Sequence, residues 1–87
     1  MKQIIVHKRF LKQFRKLPHN VQKSFQERRD VFLVNEHDRV LNTHSLMGKY
    51  KNLKSFNVNA DVRVIYQEIN TSTFLFVEIG THSELYS

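Results

Sequence analysis

The sequence predicts an α+β fold of two layers, with an N-terminal strand and a helical hairpin packed on an antiparallel β-meander. Three observations support it. Apolar residues recur at helical spacing through the first third, at Phe10, Phe14 and Leu17 and again at Val21, Phe25 and Phe32. Pro18-His19-Asn20 interrupts those two runs. In the last third, apolar and polar residues alternate with a period of two between turn-forming clusters. At 87 residues the chain has room for one core, so residues 1–87 read as one domain.

The first strand is expected around Ile4, Ile5 and Val6. From His7 the period changes, and a helix follows to Leu17, ended by Pro18. The second helix should run from Asn20 to Val34, burying Val21, Phe25, Phe32 and either Val31 or Leu33. Residues 35–50 show no clear period and are expected to form a loop, with one extended piece around Val40-Leu41. Phe56, Val58 and Ala60 then alternate with polar neighbours as in a half-buried strand, and Asn59-Ala60-Asp61 reads as a tight reversal. The next strand covers Asp61 to Ile69, apolar on both faces and therefore central. After Asn70-Thr71-Ser72, a third strand spans Phe74 to Ile79, leaving the tail from Gly80 onward.

Charge is concentrated at one end. Residues 1–34 carry nine Lys or Arg against two acids, a net +7, while residues 35–87 carry five against six, so the whole chain is +6. Such an excess concentrates polyanions at the surface, which makes nucleic acid the first expected partner and an acidic protein segment the second. Taken singly, any one of these lysines reads more readily as solvated helix surface than as a contact. No apolar run reaches the ~18 residues of a membrane span and no secretory leader is recognisable, so a cytoplasmic protein is expected. There is no cysteine, and none of the five histidines are paired at metal-ligand spacing, so no metal site is expected. Gly48 and Gly80 are the only glycines, which excludes a glycine-rich phosphate loop and the nucleotide chemistry built on it. No cofactor is implied.

RNA cleavage demands less of a small basic protein. The substrate's own 2′-OH is the nucleophile, so the protein moves protons and stabilises charge on the phosphorus. Histidine suits the first task, with a typical pKa of ~6.5. Arginine suits the second through its planar fork of donors. Asp61 and Arg63, two apart on one expected strand, should project from the same face, or they form an ordinary surface ion pair. His82 and Tyr86 are four apart and share a face if the tail makes one helical turn; otherwise the tail is a frayed terminus. His44 lies in the irregular loop, with no partner legible from spacing.

The residues His44-Ser45-Leu46-Met47-Gly48, then Asp61-Val62-Arg63-Val64-Ile65-Tyr66, then Gly80-Thr81-His82-Ser83-Glu84-Leu85-Tyr86, make the chain similar to the RelE/ParE superfamily of bacterial toxins, and within it to the YafQ branch. That branch has His-x-Leu-x-Gly, a strand leading into Asp-x-x-x-x-Tyr, and a terminal Gly-Thr-His-x-x-Leu-aromatic. The resemblance covers nearly the whole chain, and its last segment is the most specific part. It implies a RelE-like fold and a toxin of a type II toxin–antitoxin system. It further implies a ribosome-dependent mRNA endonuclease, acting on codons in the A site without a metal and silenced by a cognate acidic antitoxin.

By position, the resemblance assigns catalytic roles to His44, Asp61 and His82, with Tyr86 as the functional terminal aromatic. Arg63 matches the arginine that many RelE-like members place on the scissile phosphate. Lys54, Lys51, Arg15 and Lys12 are expected to hold the RNA. Two positions depart from the branch, which has an acid and a histidine where Ser55 and Asn57 stand. Neither residue is an acid or base near neutral pH. The rival readings are a ParE-like inhibitor of DNA gyrase, which does no RNA chemistry, and a degenerate, non-catalytic RNA-binding module.

Overall fold

His7 both ends the first strand and starts the first helix, because its Nδ1 accepts the Arg9 N–H at 3.0 Å and so caps a free helical donor. The structure, a computed structural model, describes residues 2–86. Strand β1 (Gln3–Val6) leads into α1 (Lys8–Arg15), and α2 (His19–Val34) follows directly after Pro18. Then come β2 (His44–Ser45), β3 (Lys54–Asn57), β4 (Val62–Asn70), β5 (Thr73–Thr81) and α3 (His82–Tyr86). Short 3-10 turns stand at Arg39–Leu41 and Gly48–Tyr50.

The strands form one sheet in the order β1-β5-β4-β3-β2. The last three strands make the expected antiparallel meander, whereas β1 joins β5 in parallel, Ile4 opposite Phe74. The helical hairpin therefore carries the chain from one sheet edge to the other. Its apolar stripes meet the alternating face of the meander in an aromatic core. Phe32 is fully buried, with ring centroids 5.0 to 5.4 Å from Phe56, Tyr66, Phe74 and Phe76. Phe10 lies 5.4 Å from Phe25 and 5.8 Å from Phe76. Of the two alternatives for α2, Val31 packs on the core and Leu33 is 37% exposed.

Three expectations need correction. The extended piece of the loop is His44–Ser45, not Val40-Leu41. Asp38 Oδ1 accepts the Val40 N–H at 3.0 Å and winds residues 39–41 into a 3-10 turn that buries Leu41. Strand β3 stops at Asn57, so Ala60 belongs to the turn. Asp61 also lies in that turn and not on β4: Asn59 Oδ1 accepts the N–H groups of Asp61 and Val62 at 2.8 and 2.7 Å, a side-chain-closed turn. Asp61 and Arg63 consequently do not share a strand face.

One irregularity matters for the site. Tyr66 pairs with Phe76 and Ile65 with Glu78, so Val77 has no opposite number. This bulge lets Phe76 and Ile79 both reach the core and turns Glu78 to the opposite face.

Candidate active site

Directly opposed residues in a sheet share a face, and two rows cross the face away from the helical hairpin. One row runs His44, Ser55, Ile65, Glu78; the next runs Asn57, Arg63, Gly80. Register alone thus puts His44 and Arg63 on one surface. Helix α3 follows β5 and folds over the end of that surface. The result is an open cleft of about 370 Å³ whose lining includes His44, Ser55, Arg63, His82 and Tyr86.

Helix α3 is five residues long, too short to persist by propensity. Thr81 and Glu84 fix its start: the Glu84 N–H donates to Thr81 Oγ1 at 3.1 Å, and the Thr81 N–H donates to Glu84 Oε1 at 2.8 Å. This reciprocal capping box needs a Thr-x-x-Glu spacing. The Thr81 N–H holds the Glu84 carboxyl below its ordinary pKa of 4.5. Gly80 permits the turn, since a Cβ there would come 3.1 Å from Glu84 Oε1 and 3.5 Å from Leu85 Cδ2. The His82 N–H donates to the Asp61 carbonyl at 3.0 Å. The His82 and Tyr86 rings then meet at 4.7 Å.

His44 is oriented by the residue that precedes it by two. Asn42 takes a left-handed conformation, φ 49°, and its carbonyl lies 2.6 Å from His44 Nδ1. A carbonyl only accepts, so Nδ1 carries the hydrogen. In the neutral ring the lone pair is therefore on Nε2. Arg63 Nη1 donates to the carbonyls of Ala60 and Asn59 at 3.1 and 3.3 Å, which steadies the guanidinium at the cleft wall.

The remaining expected residues stand elsewhere. Asp61 is exposed and outside the lining of the cleft, which it meets through its carbonyl and not its carboxylate. Lys54 points to the far side of β3 and pairs with Glu68 at 3.2 Å. Lys51 borders a neighbouring hollow with Lys54, and Lys12 and Arg15 are exposed on α1. Tyr50 escaped the sequence reading. It reaches under α3, its hydroxyl 2.9 Å from Glu78 Oε2 and 2.9 Å from the Leu85 carbonyl oxygen. Burial, then the Glu78 carboxylate, pushes its pKa up to about 12, so it remains a donor. No local spacing connects residues 50, 78 and 85. The Thr81-x-x-Glu84 box also went unread, although its spacing is a local signal that could have found it.

An imidazole whose Nε2 bears the lone pair, a second imidazole on a short helix and a guanidinium in the same cleft can take a proton, give one and bind an anion. Among the described residues no group of three His, Asp or Glu is arranged to hold a metal ion, and no helix is long and apolar enough to cross a membrane. The sheet order, the helical hairpin and the terminal helix define a RelE/ParE-type toxin fold. The toxin of a YoeB/ParE type from Agrobacterium tumefaciens matches it with a TM-score of 0.75 at 10% identity, over 94% of this chain and 99% of that one. The family model of YafQ, described as a bacterial toxin of a type II toxin–antitoxin system, matches residues 2–87, and the chain belongs to that family. A Helicobacter pylori protein solved in solution, HP0894, is 27% identical with a TM-score of 0.68, covering 99% of this chain and 100% of that one. A chain of the Escherichia coli DinJ–YafQ toxin–antitoxin complex is 22% identical with a TM-score of 0.69, over 99% and 98%. No curated protein sequence matches.

Proposed function

We propose that this type II toxin is an endoribonuclease that cuts mRNA in the ribosomal A site by proton transfer alone. The observation that carries the proposal is the shared cleft of His44, Arg63 and His82. His44 Nε2 takes the proton of the 2′-OH as that oxygen attacks phosphorus. Arg63 donates to the phosphorane oxygens, where charge develops. His82 gives a proton to the departing 5′-oxygen. The products are a 2′,3′-cyclic phosphate and a 5′-OH. Tyr86, tilted against His82, presents a ring face to a base.

Asp61 holds His82 through its main chain, and its exposed side chain, outside the lining of the cleft, can act only on a substrate that extends beyond it. Lys12 and Arg15 on α1, with Lys51 before β3 and Lys54 at its start, supply cations for ribosomal or messenger backbone. Ser55 lines the cleft, where its hydroxyl can donate a hydrogen bond to the substrate but has no acid–base capacity. The basic helices suit an acidic antitoxin, by electrostatic complementarity and by analogy with the complex that the E. coli relative forms. On this reading the protein works in the cytoplasm, beside ribosomes.

Purified protein added to a translating extract tests this. Primer extension on the reporter mRNA should show new ends with wild type, reduced about 10²–10⁴-fold in rate for His82→Ala. Intact mRNA, together with inhibited gyrase supercoiling in a parallel assay, would instead make it a ParE-like binder.

A further inference from the structure

The candidate site has a weak point in its architecture. Two of the cleft's side chains, His82 and Tyr86, ride on a helix of one and a half turns. The capping box secures only its first turn, and a helix leaves its last carbonyls without partners inside it. Tyr50 meets that need from below. Its hydroxyl hydrogen is shared between the Leu85 carbonyl in α3 and Glu78 Oε2 in β5, each at 2.9 Å. Its ring meets the Tyr86 ring edge-on at 5.7 Å.

Glu78 does not hang free. Gln13 Nε2 of α1 donates to Glu78 Oε1 at 3.3 Å, and Gln13 Oε1 accepts the Ile79 N–H at 2.9 Å. The bulge at Val77 is what turns Glu78 to this face. A continuous path therefore runs from α1 through Gln13 and Glu78 to Tyr50, and from there to Leu85, Tyr86 and His82. Its links are hydrogen bonds, ring contacts and the chain itself, and of these residues all but the exposed His82 are buried or half-buried. Tyr50 itself lies outside the lining of the cleft and so touches no substrate.

We propose that Tyr50, braced by Glu78, is a positioning residue that sets the place of α3 and so of the His82 imidazole and the Tyr86 ring. The role in catalysis rests on the ribonuclease reading; the role in placing α3 does not. Removing the hydroxyl in Tyr50→Phe frees the Leu85 carbonyl and Glu78 while keeping the aromatic packing. The helix then samples positions in which the imidazole is out of line with the departing oxygen. Substrate binding through Arg63 and the basic helices is untouched, so the loss falls on kcat and spares KM.

The test reads both levels. Amide hydrogen exchange across residues 82–86 and the His82 ring resonances, shifted by the Tyr86 ring current, are measured in wild type, Tyr50→Phe, Glu78→Leu and Glu78→Gln. Tyr50→Phe and Glu78→Leu should speed exchange in α3 about tenfold or more with the core unchanged, and should move the His82 resonances. Glu78→Gln keeps an acceptor for the hydroxyl and should behave nearly as wild type. In the cleavage assay the first two variants should lose about 10- to 100-fold in kcat at constant KM. Unchanged exchange and unchanged His82 resonances in a folded Tyr50→Phe protein would overturn the proposal, as would an equal loss in Glu78→Gln. If wild type cuts no RNA, the ribonuclease reading fails, and the exchange and resonance data still decide whether Tyr50 places α3.

Discussion

The imidazole of His82 and the ring of Tyr86 lie 4.7 Å apart, centroid to centroid, inclined at 53°. A helix brings side chains four residues apart onto one face, and this helix has five residues. The contact therefore reports that the tail is built as carefully as the core. Gly80 gives it space, the Thr81–Glu84 box starts it, and the Asp61 carbonyl and Tyr50 hydroxyl hold it to the body.

The box has a pH dependence of definite sign. Thr81 bonds to the charged Glu84 carboxylate, so its folded pKa lies below the ordinary 4.5. Its contribution to α3 is complete above about pH 4.5 and is lost as pH falls through the folded value. Thr81→Ala should cost about 1 kcal/mol of local helix stability at neutral pH. Amide exchange of residues 82–86 should speed up in the variant at pH 7 and in wild type only on acidification. Equal protection in both proteins at pH 7 would contradict this.

Gly80 is constrained by its neighbours and not by its φ. In Gly80→Ala the new methyl meets Glu84 Oε1 at 3.1 Å, an oxygen already committed to the Thr81 N–H, and Leu85 at 3.5 Å. The expected result is a folded protein with a displaced α3 and a cleavage rate lowered about 10²-fold. A wild-type rate would show that the helix has room to spare.

Phe32 joins the two layers. Truncation to alanine removes four aromatic contacts from a fully buried position and should destabilise the protein by about 3–5 kcal/mol. For a domain with roughly 5–15 kcal/mol in total, that is a large share. Urea unfolding followed by circular dichroism measures it. A change under about 1 kcal/mol would mean that the cavity collapses at little cost.

Most of the layout could be read from periodicity, because Phe10, Phe14, Phe25 and Phe32 recur at helical spacing and Val62, Val64 and Tyr66 alternate. What misled the reading was side-chain chemistry acting locally. Val40 and Leu41 look like strand residues, yet the Asp38 carboxylate winds them into a turn. Asp61 looked like the first residue of a strand, yet the Asn59 amide keeps it in the reversal. The parallel pairing of β1 with β5 joins residues about 70 apart and leaves no local trace. The cleft divides in the same way. His44, Arg63, His82 and Tyr86 were recognisable by motif. Tyr50 was not, because its partners at 78 and 85 are set by a bulge and a capped helix.

The central claim is that the cleft uses the substrate's own hydroxyl. Replacing the single 2′-OH at the mapped cleavage position by hydrogen, in an otherwise identical mRNA programmed into the A site, tests it most directly. Wild-type protein should cut the all-ribose message to a 5′-OH end and leave the 2′-deoxy message intact. Cleavage of both messages, or a 5′-phosphate on the downstream fragment, would mean that water and not the ribose attacks phosphorus, and His44, Arg63 and His82 would then not have the roles assigned to them.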